Sequence, residues 1–76
     1  MCNIKEYLEF SNQDSYLESK RSLNRMIEEG ILIELGPLGP GPTLDVAYRC
    51  VATGDEYVLS HPDQAYRGFL LQRDRV

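Results

Sequence analysis

Three residues of the chain, Cys50, His61 and Asp63, have the types of a thiol-based catalytic set. A thiolate attacks only after a nearby imidazole has taken its proton, and a third group must orient that imidazole. The surroundings argue against this use. Cys50 sits in an alternating run, on the parity that carries the apolar side chains, where a thiol is ordinarily inert. His61 is the one histidine, and Pro62-Asp63 has the form of the two central residues of a type I turn. The stretch "HPDQ" therefore reads as a turn between strands, and no catalytic residue is expected. Glu28 and Glu29 do not change this, because adjacent helical residues point roughly 100° apart and cannot converge on one bond.

Cofactor chemistry finds no better support. Cys2 and Cys50 form no CxxC pair, so no metal site is expected, and two cysteines fall short of a disulfide scaffold. Cys50 is expected as a buried free thiol and Cys2 as an accessible one. The stretch "GPLGPGP" is too rich in proline to align backbone donors on a phosphate. No cofactor is expected. A charged leader with an apolar stretch is absent, as is any apolar run near 18 residues, so no membrane partner and a cytoplasmic location are expected.

The elements that position these residues follow from period and punctuation. The 76 residues make one domain, with no room for a second core. In "NIKEYLEF", Ile4, Tyr7 and Leu8 stand at i, i+3, i+4, the spacing of a short amphipathic helix. Ser11, with Asp14 three residues on, has the capping-box form and opens a helix over residues 12–29. That helix carries Tyr16, Leu23, Met26 and Ile27 on one side and stops at Gly30. "ILIEL" predicts a strand at 31–35, which the three prolines and three glycines of 36–43 cannot extend.

"LDVAYRCVATGDEYVLS" predicts a hairpin turning at Thr53-Gly54 or Gly54-Asp55. Either register puts Leu44, Val46, Tyr48, Cys50, Tyr57 and Leu59 on one face, which must pack on the helix. Asp45, Arg49, Glu56 and Ser60 take the other. "GFLLQR" supplies a last strand. The expected fold is α+β: one or two N-terminal helices on an antiparallel sheet of three to four strands.

Charge bears on the partner. The net charge is −4, with seven acidic against four basic residues in 1–35 and five against four in 36–76. Such a chain is poorly suited to a phosphate backbone, which relies on Lys and Arg displacing counterions. A winged-helix DNA-binding regulator is the alternative that "SLNRMIEEGILIEL" allows, as a recognition helix running into a wing. Residues 12–29 hold three basic against four acidic residues, however, where a groove-reading helix is normally basic. No nucleic-acid partner is expected.

The segment "YRC…TGDEYVLSHPDQAYRG", preceded by "RSLNRMIEE", resembles the small immunity proteins of bacterial polymorphic toxin systems, in particular the group called immunity family twenty-seven. The likeness covers roughly residues 20–70: a tyrosine-led strand, a Gly-Asp turn, an aromatic-aliphatic strand, a Pro-centred turn, then an aromatic and a glycine. Tyr57 stands where that group tends to have a tryptophan, and Arg67-Gly68-Phe69 where it tends to a run of glycines. The resemblance implies an α+β fold and a non-enzymatic function, tight binding of a cognate toxin. An acidic protein is steered toward a basic partner, so a basic toxin or effector is expected. The expected contacts are the helix carboxylates Glu18, Glu28 and Glu29, the hairpin carboxylates Asp55 and Glu56, and Tyr66 with Arg67, whose types are enriched at interface anchors.

Overall fold

Leu23 is the residue most deeply buried on the one long helix, and the helix exists to place it. The computed structural model describes residues 2–38, 45–62 and 66–75. Helix α1 runs Gln13–Glu28, followed by strands β1 (Leu32–Pro37), β2 (Asp45–Cys50), β3 (Glu56–Ser60) and β4 (Phe69–Gln72), with a final 3-10 turn at Arg73–Arg75. The four strands form one antiparallel sheet in the order β1-β2-β3-β4. The fold is α+β, as expected.

Helix α1 begins one residue later than the capping-box reading placed it. Asn12, not Ser11, is the N-cap, and its side-chain oxygen accepts from the Ser15 amide at 2.8 Å. Asparagine is among the best residues for this task, and here it satisfies a donor that no helical carbonyl can reach. The stop at Gly30 holds. Its φ is 76°, its amide donates to the Ile27 carbonyl, and the Ile31 amide donates to the Met26 carbonyl. These two bonds are the Schellman pattern, which only a residue at ease in the left-handed region completes cheaply.

The N-terminal residues correct the sequence reading. Ile4–Leu8 do not form a helix. The segment is extended and lies along β4, where the amides of Tyr7 and Leu70 exchange bonds at 2.7 and 2.9 Å. The Phe10 amide reaches the Gly68 carbonyl at 3.2 Å, and Glu6 accepts from the Gln72 amide at 2.7 Å. So short a helix is marginal in water, whereas β4 offers an outer edge whose donors and acceptors need partners. Pairing wins.

Strand β1 also runs further than expected, through Gly36 and Pro37. A bulge between Glu34 and Gly36 makes this possible, with Gly36 at φ 98°. The bulge lets Pro37 pair opposite Val46, and β1 is an edge strand, where a missing amide is tolerated. The rest of the expected Gly-Pro loop, 39–43, lies outside the described residues, as does Leu44.

The β2–β3 turn is longer than a two-residue hairpin. Arg49 pairs with Glu56, and the intervening loop is closed by Gly54 donating to the Cys50 carbonyl at 2.8 Å and by Thr53 bonding Asp55. The change of register is even, so the expected faces survive. Val46, Tyr48, Cys50, Tyr57 and Leu59 face α1, and with Phe10, Tyr16, Leu23, Leu32 and Leu70 they form the core. Asp45, Arg49, Glu56 and Ser60 take the other face. That second face is not simply solvated: Ala47, Val58 and Leu71 pair across it and all three are buried.

The cysteines correct the sequence reading a second time. Cys2 and Cys50 form a disulfide, with their Cα atoms 6.0 Å apart, and no free thiol remains among the described residues. An extended arm carries Cys2 across the sheet to the end of β2, a contact that a helical arm could not make. Closing a loop of this separation, 48 residues, removes denatured-state entropy worth about 4 kcal/mol in the chain-entropy model. Reduction should therefore lower the urea midpoint by an amount equivalent to about 4 kcal/mol; an unchanged midpoint would show that the bridge does not form. A second expectation concerns Gly68, at φ 74°. A Cβ there would fall on the Ser60 carbonyl oxygen and close to the Pro62 nitrogen, both backbone atoms that cannot swing away. Gly68→Ala should cost about 2 kcal/mol or more in the same assay, whereas Gly30→Ala meets open space and should cost only the left-handed strain of about 1 kcal/mol.

Candidate interaction surface

The residues of the thiol set do not assemble. The Cys50 sulfur is tied to Cys2 and Cys50 is fully buried. The His61 Nδ1 lies 2.7 Å from the Tyr16 hydroxyl, and the two rings meet edge to face at 4.9 Å. Tyr16 in turn packs edge-on against Phe10. His61 thus fastens the end of β3 to α1. Asp63 lies outside the described residues, and with it the centre of the expected turn.

The seven expected contact residues are spread over three places. Glu28 and Glu29 end α1 and lead through Gly30 into β1. Asp55 belongs to the β2–β3 turn, which lies at the same end of the sheet, because the Cys50 amide donates to the Asp55 carbonyl and the Val51 amide to the Ile31 carbonyl. Glu18 sits midway along α1, over the N-terminal arm. Tyr66 and Arg67 lie at the far end. Tyr66 reaches Ser60, the last residue of β3, with its hydroxyl 2.6 Å from the Ser60 Oγ, whereas Glu56 begins that strand about 13 Å away. No single flat contact takes in all seven.

Their availability also differs. Glu56 is held by Arg73 at 2.7 Å and Arg49 at 3.1 Å. These guanidiniums, Arg73 first, keep its carboxyl below the usual glutamate range, and its charge is already answered within the chain. Arg67 pairs with Glu9 at 3.2 Å, both side chains exposed, so the pair is worth little to stability. Tyr66 is neither buried nor loose. Ser60 gives its one proton to Asp45 at 2.7 Å, so Tyr66 donates to Ser60, while the residue as a whole stays 44% exposed. Glu18, Glu28, Glu29 and Asp55 are exposed, with no ion pair among the described residues.

The structure adds residues that spacing did not single out. Ile31, Ile33, Leu35 and Val51 are exposed, Ile33 by 48% and Val51 by 54%. Ile31, Ile33 and Leu35 lie at the start of and along β1, whose outer edge no described residue pairs, and Val51 lies just past the end of β2 beside Ile31. Leu32 alone points into the core from the same strand, so "ILIEL" is one core residue within an exposed run. The signal was the alternation itself: once Leu32 is inward, Ile31 and Ile33 must face out. Glu28 and Glu29 lie beside this apolar edge, and Glu34 is exposed within it. The arrangement, an unpaired strand edge with apolar side chains and an acidic rim, is one a protein partner can dock on.

Helix α1 is the one α-helix among the described residues. The helix–turn–helix that seats a recognition helix in a DNA groove needs two. None of the described helices is long and apolar enough to cross a membrane. Comparison of the chain with family models, with curated proteins and with solved structures finds no match.

The Glu56 ladder is testable by pH. A carboxyl held low in the folded state contributes stability above its ordinary range and loses it as pH falls through the lowered value. Titration of the side-chain carboxyl by carbon NMR should place Glu56 below an ordinary glutamate, and Arg73→Gln should move it back up. A carboxyl that titrates normally in both proteins would contradict the ladder.

Proposed function

We propose that this chain is a small non-enzymatic protein-binding module, an immunity protein or a similar inhibitor that binds and neutralises a toxin or effector. The observation that carries the reading is the open edge of β1, where Ile31, Ile33 and Leu35, with Val51 beside them, are exposed next to Glu28 and Glu29. A strand with an unpaired edge is a template for another chain, and exposed apolar residues clustered beside charge mark a contact rather than a solvated face. The acidic rim favours a basic partner and would speed its approach. The resemblance of residues 20–70 to immunity proteins points the same way. Asp55 joins this surface; Tyr66 and Arg67, at the opposite end, would serve only a partner that wraps the sheet.

Compartment belongs to the same proposal. In the cytoplasm the reducing pool would hold Cys2 and Cys50 as thiols, whereas a persistent disulfide belongs to an oxidising compartment. Trapping the thiols in intact cells and counting the labels decides between them; the cytoplasmic reading requires the reduced pair.

The test is kinetic. The product of a neighbouring gene, the natural place to seek a cognate toxin, is assayed against the wild-type chain and variants by surface-immobilised binding. Association should slow as salt rises, and Glu28→Lys with Glu29→Lys should lower mainly the association rate. Ile33→Asp should raise mainly the dissociation rate, by about 2 kcal/mol if it is an anchor, while circular dichroism shows the fold unchanged. Affinity indifferent to salt and to all three substitutions would overturn the reading.

A further inference from the structure

The eight cations of the chain divide unequally. Arg49, Arg67, Arg73 and Arg75 each make an ion pair, and Lys20 donates to the Tyr48 hydroxyl at 3.2 Å. Lys5, Arg21 and Arg25 have no carboxylate among the described residues within ion-pair distance. These three line one groove of about 550 Å³ between the N-terminal arm and α1. In a protein with a net charge of −4, carboxylates to pair with them are plentiful, yet only Glu18 shares the groove.

The groove has a definite chemistry. Arg21 and Arg25 stand at i and i+4 of α1, on one helical face, and Ser22 adds a hydroxyl between them. Lys5 faces them from the arm, its Nζ 5.1 Å from the centre of the Tyr7 ring. Glu18 is the single carboxylate of the lining, so three cations against one anion give the groove a formal charge of +2. Its apolar lining is Ile4 and Tyr7, both partly exposed, backed by the buried Leu23 and Leu70. Like charges held around a concave surface repel one another until an anion lies between them, and guanidinium forks fit phosphate and carboxylate oxygens two at a time. The volume is within the range of small-molecule sites.

We propose that this groove binds a small organic anion, an apolar ring or chain that lies against Ile4 and Tyr7 and presents one phosphate or carboxylate to Lys5, Arg21 and Arg25. The site is separate from the β1 edge and does not depend on the protein-binding reading.

Isotope-labelled, disulfide-intact protein is titrated, under amide NMR, with phenyl phosphate, with phenylacetate and with uncharged benzyl alcohol, each to about 10 mM. Saturable shifts confined to the arm around Lys5 and to α1 around Arg21–Arg25 are expected with at least one anion and not with the alcohol. The stronger of the two anions assigns phosphate or carboxylate. Arg21→Gln with Arg25→Gln, exposed positions where glutamine keeps the helix, should weaken binding by at least about tenfold. Arg49→Gln, outside the groove, should leave it unchanged. Absence of saturable shifts, equal response to the alcohol, or affinity unaffected by the Arg21/Arg25 substitution would each overturn the proposal.

Discussion

The pairing of the N-terminal arm with β4 is the contact on which the rest of this structure depends. A single helix of this length covers only part of a four-stranded sheet, and a chain of this size buries only about 60% of the surface it exposes when unfolded. The arm supplies what is missing. It brings Phe10 and Tyr7 under the sheet, carries Cys2 to Cys50, and gives the amides and carbonyls of Tyr7 and Leu70 to each other. Disulfide and edge pairing are one device at two points of the same segment, and the bridge holds in place an arm too short to hold itself.

Both proposed surfaces follow from that placement. A four-stranded open sheet has two edges. The arm occupies the β4 edge, which leaves the β1 edge, with Ile33 and Leu35, as the one that no described residue covers. The groove with Lys5, Arg21 and Arg25 exists because the arm lies beside α1 without closing on it. The charge of the chain is thereby sorted: carboxylates Glu28, Glu29 and Asp55 at one end of the sheet, and Lys5 of the arm facing Arg21 and Arg25 of α1 across the groove. Net charge alone describes neither surface.

What was legible in the sequence was what is decided locally or by parity. Tyr16, Leu23, Met26 and Ile27 recur at the helical period and Gly30 ends the run, so α1 was readable to within a residue at each end. The hairpin's faces were readable even though its turn was not, because any even shift of register keeps Tyr48, Cys50, Tyr57 and Leu59 together. What escaped was decided at a distance. Ile4, Tyr7 and Leu8 satisfy a helical spacing, and nothing local shows that β4, more than sixty residues later, offers better bonds. The Cys2–Cys50 pair was invisible for the same reason. Pro37 reads as a strand breaker unless the bulge at Gly36 and the edge position of β1 are known. Of the expected contact residues, Glu28, Glu29 and Asp55 share one end of the sheet, Glu56 is engaged by its own arginines, and Ile33 went unnamed because an apolar run does not say which of its residues face out.

The most direct test of the arm's role is amide hydrogen exchange at Tyr7, Phe10 and Leu70 in the oxidised protein, repeated after reduction. If the arm is a fifth member of the sheet, these three amides exchange slowly in the oxidised protein, with protection near that of the Val58 amide in the centre of β3, and lose it selectively on reduction. Rapid exchange at Tyr7 and Leu70 in the oxidised protein, beside a protected Val58, would show that the core stands without the arm and would contradict the account.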